Sequence, residues 1–247
     1  MTGIAWLSAC AVGALGVAEL CIMLFNKVPE SWLCDYGEQP DSKLHAPRLF
    51  FRPHGIVMTI ILAASFAGIY EQYSGRLFYI LAGCFACAVL LLISTADYKY
   101  SIIPDQFILV LFLTALAINC YDLMSGHRIF YSDWRSPVLG AAAGFALMLT
   151  LRLAGQFFYK KEALGFGDVK LFGVVGLLVG FPQLFPVFFI TIFLAFFHIV
   201  FLLLFKKITK DLSLPFGPYI CLALLLFLIF HSQMICFADW YLSLLNL

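Results

Sequence analysis

The stretch RLFYILAGCFACAVLLLISTAD, residues 76–97, decides what kind of chain this is. From Leu77 to Ala96 no side chain carries a charge, and the run then stops on Asp97. A helix needs about 20 predominantly apolar residues to cross the hydrocarbon core of a bilayer, and this run supplies them. Working outward, seven further apolar segments lie between charged or Pro/Gly-bearing breaks. Together the eight cover approximately residues 4–25, 55–71, 76–96, 105–124, 136–158, 169–181, 183–205 and 215–233. The sixth is short, about 20 Å at about 1.5 Å per residue, so it must start below the membrane surface or sit where the bilayer is thinned. The tail from Gln233 to Leu247, with Asp239, Trp240 and Tyr241, is too short and mixed to span again and reads as interfacial. The expected fold is all-α: a polytopic membrane bundle of about eight transmembrane helices.

Composition agrees. A chain of 247 residues that is 63% hydrophobic and 12% charged is not a soluble globular domain. Its lipid partner is the bilayer. The net charge of +1 leaves no basic field or acidic tail, which sets nucleic acid aside as a partner. Abundant aromatics, Phe above all, fit lipid-facing and interfacial positions better than base stacking. With no repeat, low-complexity run or long linker, residues 1–247 read as one membrane-embedded domain with a short cytoplasmic loop at 26–54. The oligomeric state is left open.

Lys and Arg favour cytoplasmic loops. Those after segments 1, 3, 5 and 7 hold Lys27, Lys43, Arg48, Arg52, Lys99, Arg152, Lys160, Lys161, Lys170, Lys206, Lys207 and Lys210, twelve of the fifteen basic residues. Only Arg76, Arg128 and Arg135 fall on the other side. Both termini are therefore expected outside the cytoplasm. No basic residue precedes Lys27, so the first segment is expected to be a retained helix and not a cleaved signal. On this topology Asp97 closes segment 3 and Asp168 opens segment 6, both at the cytoplasmic boundary.

Carboxylates are costly near lipid and commonly mark a polar cavity or a functional site. Asp97 stands in TADYKYSIIPD and Asp168 in ALGFGDVKL, beside residues that break or loosen helices. Two close carboxyl groups cannot both ionise readily, so one can act as base toward water and the other as acid toward a peptide carbonyl. Gly165 and Gly167 would allow unusual backbone conformations and close approach of a substrate strand. Pro104 is a favoured helix starter, and Asp105 after it suits a first helical turn. The residues alone leave a second reading open, in which Asp97 with Lys99 and Asp168 with Lys170 are ordinary charges at helix ends. A third function class, a proton-coupled transporter relaying protons through Asp97, Asp168 and Glu19, predicts symmetry between halves that the sequence lacks.

At these residues the chain resembles the type IV prepilin peptidases, membrane aspartic peptidases of the GxGD type. The pattern is an aspartate, six residues, then Pro-Asp (Asp97, Pro104, Asp105). It continues with Gly-x-Gly-Asp and a Lys (Gly165, Gly167, Asp168, Lys170), and with Pro-Phe-Gly-Pro at Pro215 to Pro218. The likeness covers roughly residues 77–225. It implies Asp97 and Asp168 as catalytic, with Gly165, Gly167, Lys170, Pro104 and Asp105 supporting the site or binding substrate. It further implies a prepilin or pseudopilin substrate cut at the cytoplasmic boundary of a bacterial inner membrane, and no metal or other cofactor for cleavage.

Many such enzymes carry two CxxC pairs between the first two helices and also N-methylate the new terminus with S-adenosylmethionine. Here the loop from Asn26 to His54 has one cysteine, Cys34, in VPESWLCDYGE, so a four-cysteine zinc site is not expected. S-adenosylmethionine is a cofactor only if methylation occurs.

Other features read as packing. Cys84 and Cys87 form a CxxC inside an apolar run, and the other cysteines are scattered. Glu19, in the first helix, could line the active-site cavity or meet a polar partner. His45 and His54 are weak as a metal pair, His127 is an outer-loop residue, and His198 and His231 should bond within the bundle. Gly140 and Gly144 in the fifth segment, and Gly173, Gly176 and Gly180 in the sixth, should let helices pack closely.

Overall fold

The computed structural model describes residues 3–34, 48–126, 128–131, 133–159, 164–205 and 215–244. Among them eight α-helices follow one another: α1 (Gly3–Lys27), α2 (Ile56–Gln72), α3 (Leu77–Tyr100), α4 (Asp105–Ser125), α5 (Ser136–Tyr159), α6 (Phe166–Val179), α7 (Leu184–Leu204) and α8 (Gly217–Leu244). A 3-10 turn at Glu30–Trp32 follows α1, and a π-helical turn at Phe51–Gly55 leads into α2. Among the described residues seven helices, all but α6, are long and apolar enough to cross a membrane. The protein is thus a polytopic helical membrane protein.

The expected breaks are real, but two helices overrun their expected ends. α3 continues three residues past Asp97, and the Ser101 N–H bonds the Asp97 carbonyl at 2.7 Å. Ser101 then turns left-handed (φ 55°), and Ile103 precedes Pro104, a position that disfavours helix. Asp97 therefore sits inside a helical turn, not on the loop that its neighbours suggest. α8 runs on to Leu244 across a non-helical Phe230 (φ −111°, ψ 21°), so the tail to that point prolongs the last helix. Glycines in the left-handed region end α4 (Gly126, φ 69°) and α6 (Gly180, φ 76°).

The chain gathers into two compact units. The first holds α1, α2, α3 as far as Ala88, and α8 from Leu224. Within it Trp6 stacks on Tyr70 at 5.2 Å, and the Tyr73 hydroxyl donates to the Leu228 carbonyl at 3.0 Å. Gly68 has no room for a side chain, since an added Cβ would lie 2.5 Å from Ile229 Cγ2. Arg48, counted above as a loop charge, is buried here. Its guanidinium donates to the carbonyls of Phe25 (3.2 Å) and Val28 (2.6 Å), closing the end of α1. Of the 26–54 loop, residues 35–47 lie outside the described residues, as do Lys160, Lys161, Lys206, Lys207, Lys210 and His127.

The second unit contains the remainder of α3, α4 to α7 and the start of α8. Its centre is the crossing of α5 and α6. A Cβ on Gly140 would lie 2.2 Å from the Gly176 carbonyl oxygen, and one on Gly144 would lie 2.7 Å from that of Phe172. Backbone rests on backbone, as the small residues led us to expect. α4 is tied to α6 by Asn119 Nδ2, which donates to the Leu177 carbonyl at 3.1 Å, and Tyr131 hydrogen-bonds Asn119. Beyond the end of α6, the Ser136 hydroxyl donates to the Phe181 carbonyl at 2.7 Å and so fastens α5 to the turn before α7.

Candidate active site

Asp97 lies in the last turn of α3 and Asp168 in the first turn of α6, and both are buried at 5% and 7% exposure. Each is held through one oxygen by a glycine N–H. Asp97 Oδ2 accepts from Gly217, the first residue of α8, at 2.9 Å. Asp168 Oδ2 accepts at 3.2 Å from the N–H of Gly165, the N-cap of its own helix. Among the described residues the other oxygen of Asp168, though buried, has no hydrogen-bond partner. The two carboxyl groups lie within electrostatic reach of each other. A buried pair of this kind, with one oxygen pinned and another free, can accept a proton and hand one over.

The glycines serve space more than conformation. Gly165 has an ordinary extended backbone (φ −66°, ψ 150°), and Gly167 is not among the positive-φ residues. The conformational freedom expected of them is therefore unused, because the chain enters α6 through a standard N-cap. What Gly167 provides is room: an added Cβ would lie 3.0 Å from Ile103 Cβ. Gly217 does the same on the other side, where a Cβ would come within 2.6 Å of Asp97 Oδ2 and 2.9 Å of Ile103 Cδ1. Ile103 thus wedges between two glycines, each adjoining one aspartate. Sequence reasoning passed over Ile103 and gave Gly217 no role. The only signal was that Pro-Phe-Gly-Pro recurs with the aspartate motifs.

The supporting residues sort themselves by position. Pro104 is the N-cap of α4 (φ −62°, ψ 128°) and Asp105 its first residue. Lys170 donates to both carboxylate oxygens of Asp105 at 2.8 Å, so the last residues of two separate motifs form a bidentate ion pair. Lys170 also lies 5.1 Å over the Phe166 ring, and Arg152 lies 5.6 Å over the same ring and within electrostatic reach of Asp168. Cys221, one turn beyond Gly217, is buried within reach of both aspartates. Glu19 is exposed on α1, in the first unit.

A groove of about 500 Å³, lined by Asp105, Leu109, Phe112, Phe145, Lys170 and Leu177, opens between α4, α5 and α6. Asp168 precedes Lys170 by two residues, about 200° around a helix of 3.6 residues per turn, so this groove lies on the face away from the carboxyl pair. Among the described residues no three of His, Cys, Asp and Glu gather as a metal-binding group.

Comparison with known proteins matches the part of the chain that contains Asp97 and Asp168. Residues 84–200 match the Type IV leader peptidase family. A prepilin leader peptidase/N-methyltransferase of Aeromonas salmonicida is 28% identical over 163 residues, 66% of this chain and 53% of that protein. One from Bacillus subtilis is 28% identical over 150 residues, 61% of this chain and 56% of the relative. One from Pectobacterium carotovorum is 34% identical over 95 residues, 38% of this chain and 32% of the relative. The chain thus spans about half the length of the curated relatives first matched. No solved structure matches it. The region that carries Asp97, Asp168 and the ion pair beside them lies within residues 84–200, the part of the chain that is similar to the type IV leader peptidase family.

Proposed function

We propose that this protein is a membrane aspartic endopeptidase that removes the basic leader from type IV prepilins or pseudopilins. The observation that carries this reading is the buried pair Asp97 and Asp168, within electrostatic reach of each other and with one oxygen of each held by a glycine N–H. The pair shares one proton. Its ionised member takes a proton from water as the oxygen attacks the scissile carbonyl carbon, while the protonated member gives its proton to the carbonyl oxygen. As the gem-diol collapses, the aspartate that took the water proton gives it to the leaving nitrogen and the other takes the proton of one hydroxyl, so that the C–N bond breaks and the pair again holds one proton. Which aspartate plays which part belongs to the pair as a whole.

The excess of Lys and Arg after segments 1, 3, 5 and 7 supports cleavage on the cytoplasmic side of a bacterial inner membrane, with both termini across it. We take residues 1–247 as one peptidase domain. Gly165, Gly167, Pro104 and the Asp105–Lys170 pair shape the site in this proposal, and Glu19 is kept as a candidate contact for substrate. Peptide cleavage calls on no cofactor. S-adenosylmethionine enters only if the new terminus is methylated, as the relatives' names state of them.

The test is cleavage of a prepilin by the full chain in membranes, with Asp97→Asn and Asp168→Asn as partners. Wild type yields the mature pilin, and each variant yields none while keeping the wild-type elution profile in detergent. Near wild-type cleavage by either variant would remove the pair from the mechanism. Weighing the product after incubation with S-adenosylmethionine decides methylation: a mass gain of one methyl group establishes it.

A further inference from the structure

A lone histidine in an apolar helix is costly in a bilayer unless it finds a partner. α7 has no charged residue, and its buried positions Leu184, Val187, Thr191 and Ala195 recur every three or four residues along one face. The next position on that face is His198. Its Nδ1 hydrogen-bonds the hydroxyl of Tyr219, with the ring centroids 5.7 Å apart. Tyr219 stands in the first turn of α8, where its N–H donates to the Phe216 carbonyl at 3.1 Å and its ring meets Phe216 edge-on at 6.2 Å. Two residues earlier in that turn is Gly217, whose N–H holds Asp97.

We infer that the His198–Tyr219 pair positions the candidate active site, pinning the first turn of α8 to α7 and so holding the Gly217 N–H on Asp97. The pair does not touch the reacting atoms, and neither aspartate lies on α7. Its reach is mechanical. Gly217 has less than a methyl group of clearance from Asp97 and Ile103, so a small slide of α8 breaks the hydrogen bond or closes the gap on the carboxylate. His198→Leu and Tyr219→Phe remove the bond, whereas His198→Asn keeps a polar atom near the position of Nδ1.

Two readouts on the purified full chain decide the matter. The first is kinetic and rests on the peptidase reading: in His198→Leu and in Tyr219→Phe, kcat for prepilin cleavage falls about 100-fold, the scale of a slightly misplaced catalytic group, while KM stays about the same. His198→Asn restores most of that loss. The second is independent of activity. Cys221, one turn after Gly217 and 3% exposed, is labelled by a small maleimide and followed by peptide mass. Its labelling rises at least about tenfold when the pin is lost, as local opening exposes it, and keeps the wild-type rate in His198→Asn. Tyr219→Phe removes a single oxygen and serves where His198→Leu fails to fold.

Wild-type labelling of Cys221 in both variants overturns the inference whatever the kinetics, as does an unchanged kcat in a wild type that cleaves, or a His198→Asn no better than His198→Leu. If wild type cleaves no prepilin, the peptidase proposal falls and the labelling alone decides the pin.

Discussion

α6 presents two carboxylate arrangements within its first turns, and they are built in opposite ways. On one face Asp168 is buried, one oxygen has no hydrogen-bond partner among the described residues, and its coupled neighbour is another acid. On the other face Lys170 reaches a half-exposed carboxylate, Asp105, and satisfies both of its oxygens at 2.8 Å. A lysine two residues from Asp168 serves the more exposed acid, while the buried one faces another acid and has only the Arg152 guanidinium within electrostatic reach. For stability alone the assignment is backwards, since pairing matters most where solvent is absent. For chemistry it is apt: an acid neutralised by an ammonium group cannot trade protons with water.

The first way to break this contrast is to remove the unpaired side. Asp97→Ala or Asp168→Ala should lower prepilin cleavage at least ~1,000-fold, the scale of a lost acid or base. A gel assay for mature pilin reads it, and activity within tenfold of wild type in either variant would make the two faces of α6 equivalent. Next in size comes Gly217→Ala, whose Cβ would lie 2.6 Å from Asp97 Oδ2. We expect a fall of about 10- to 100-fold in kcat with little change in unfolding temperature, because one methyl group misplaces one carboxylate.

Gly140→Leu probes the scaffold common to both faces. It drives a side chain into the Gly176 carbonyl oxygen and should cost about 3 kcal/mol or more, read as a lowered unfolding temperature in detergent. An unshifted transition would mean that α5 and α6 do not cross backbone to backbone. The smallest effect is expected on the paired side. The double variant Asp105→Asn, Lys170→Met removes a pair whose side chains are 42% and 32% exposed, worth about 0–1 kcal/mol. At about 1.4 kcal/mol per factor of ten, cleavage should stay within tenfold of wild type. A loss as deep as that of Asp168→Ala would place the ion pair inside the chemistry.

The helices were legible because each apolar run is about as long as the bilayer is thick, and that length is a local property. The short α6 was legible from the length of its own run, and Gly140, Gly144 and Gly176 marked helices that pack closely without naming the helix each packs against. Ends were less so. Asp97 looks like a terminus because its charge interrupts the apolar pattern, yet helical hydrogen bonding carries on to Tyr100 until Ser101 and Pro104 stop it. The aspartates and their motif glycines could be named in advance. The pairing of Lys170 with Asp105, 65 positions apart, and of Gly217 with Asp97, 120 apart, could not, since both depend on how α3, α4, α6 and α8 meet. The glycines of the aspartate motif were misjudged in kind: they look like hinges and act as clearances for Ile103.

The brevity of α6 bears on how the protein is made. At 14 residues it is about 21 Å long, against about 30 Å of hydrocarbon, so it cannot be handed to the lipid as an independent span. What it has is a neighbour, α5, against which its backbone lies flush through Gly140, Gly144 and Gly176. Partition of α6 into the membrane therefore depends on a packed neighbour, and the flush crossing makes α5 the partner that carries Asp168 to its depth. A lesion in the glycines of α5 would then surface as failed biogenesis, with the unfinished chain cleared by quality-control proteases before any catalytic defect could be measured.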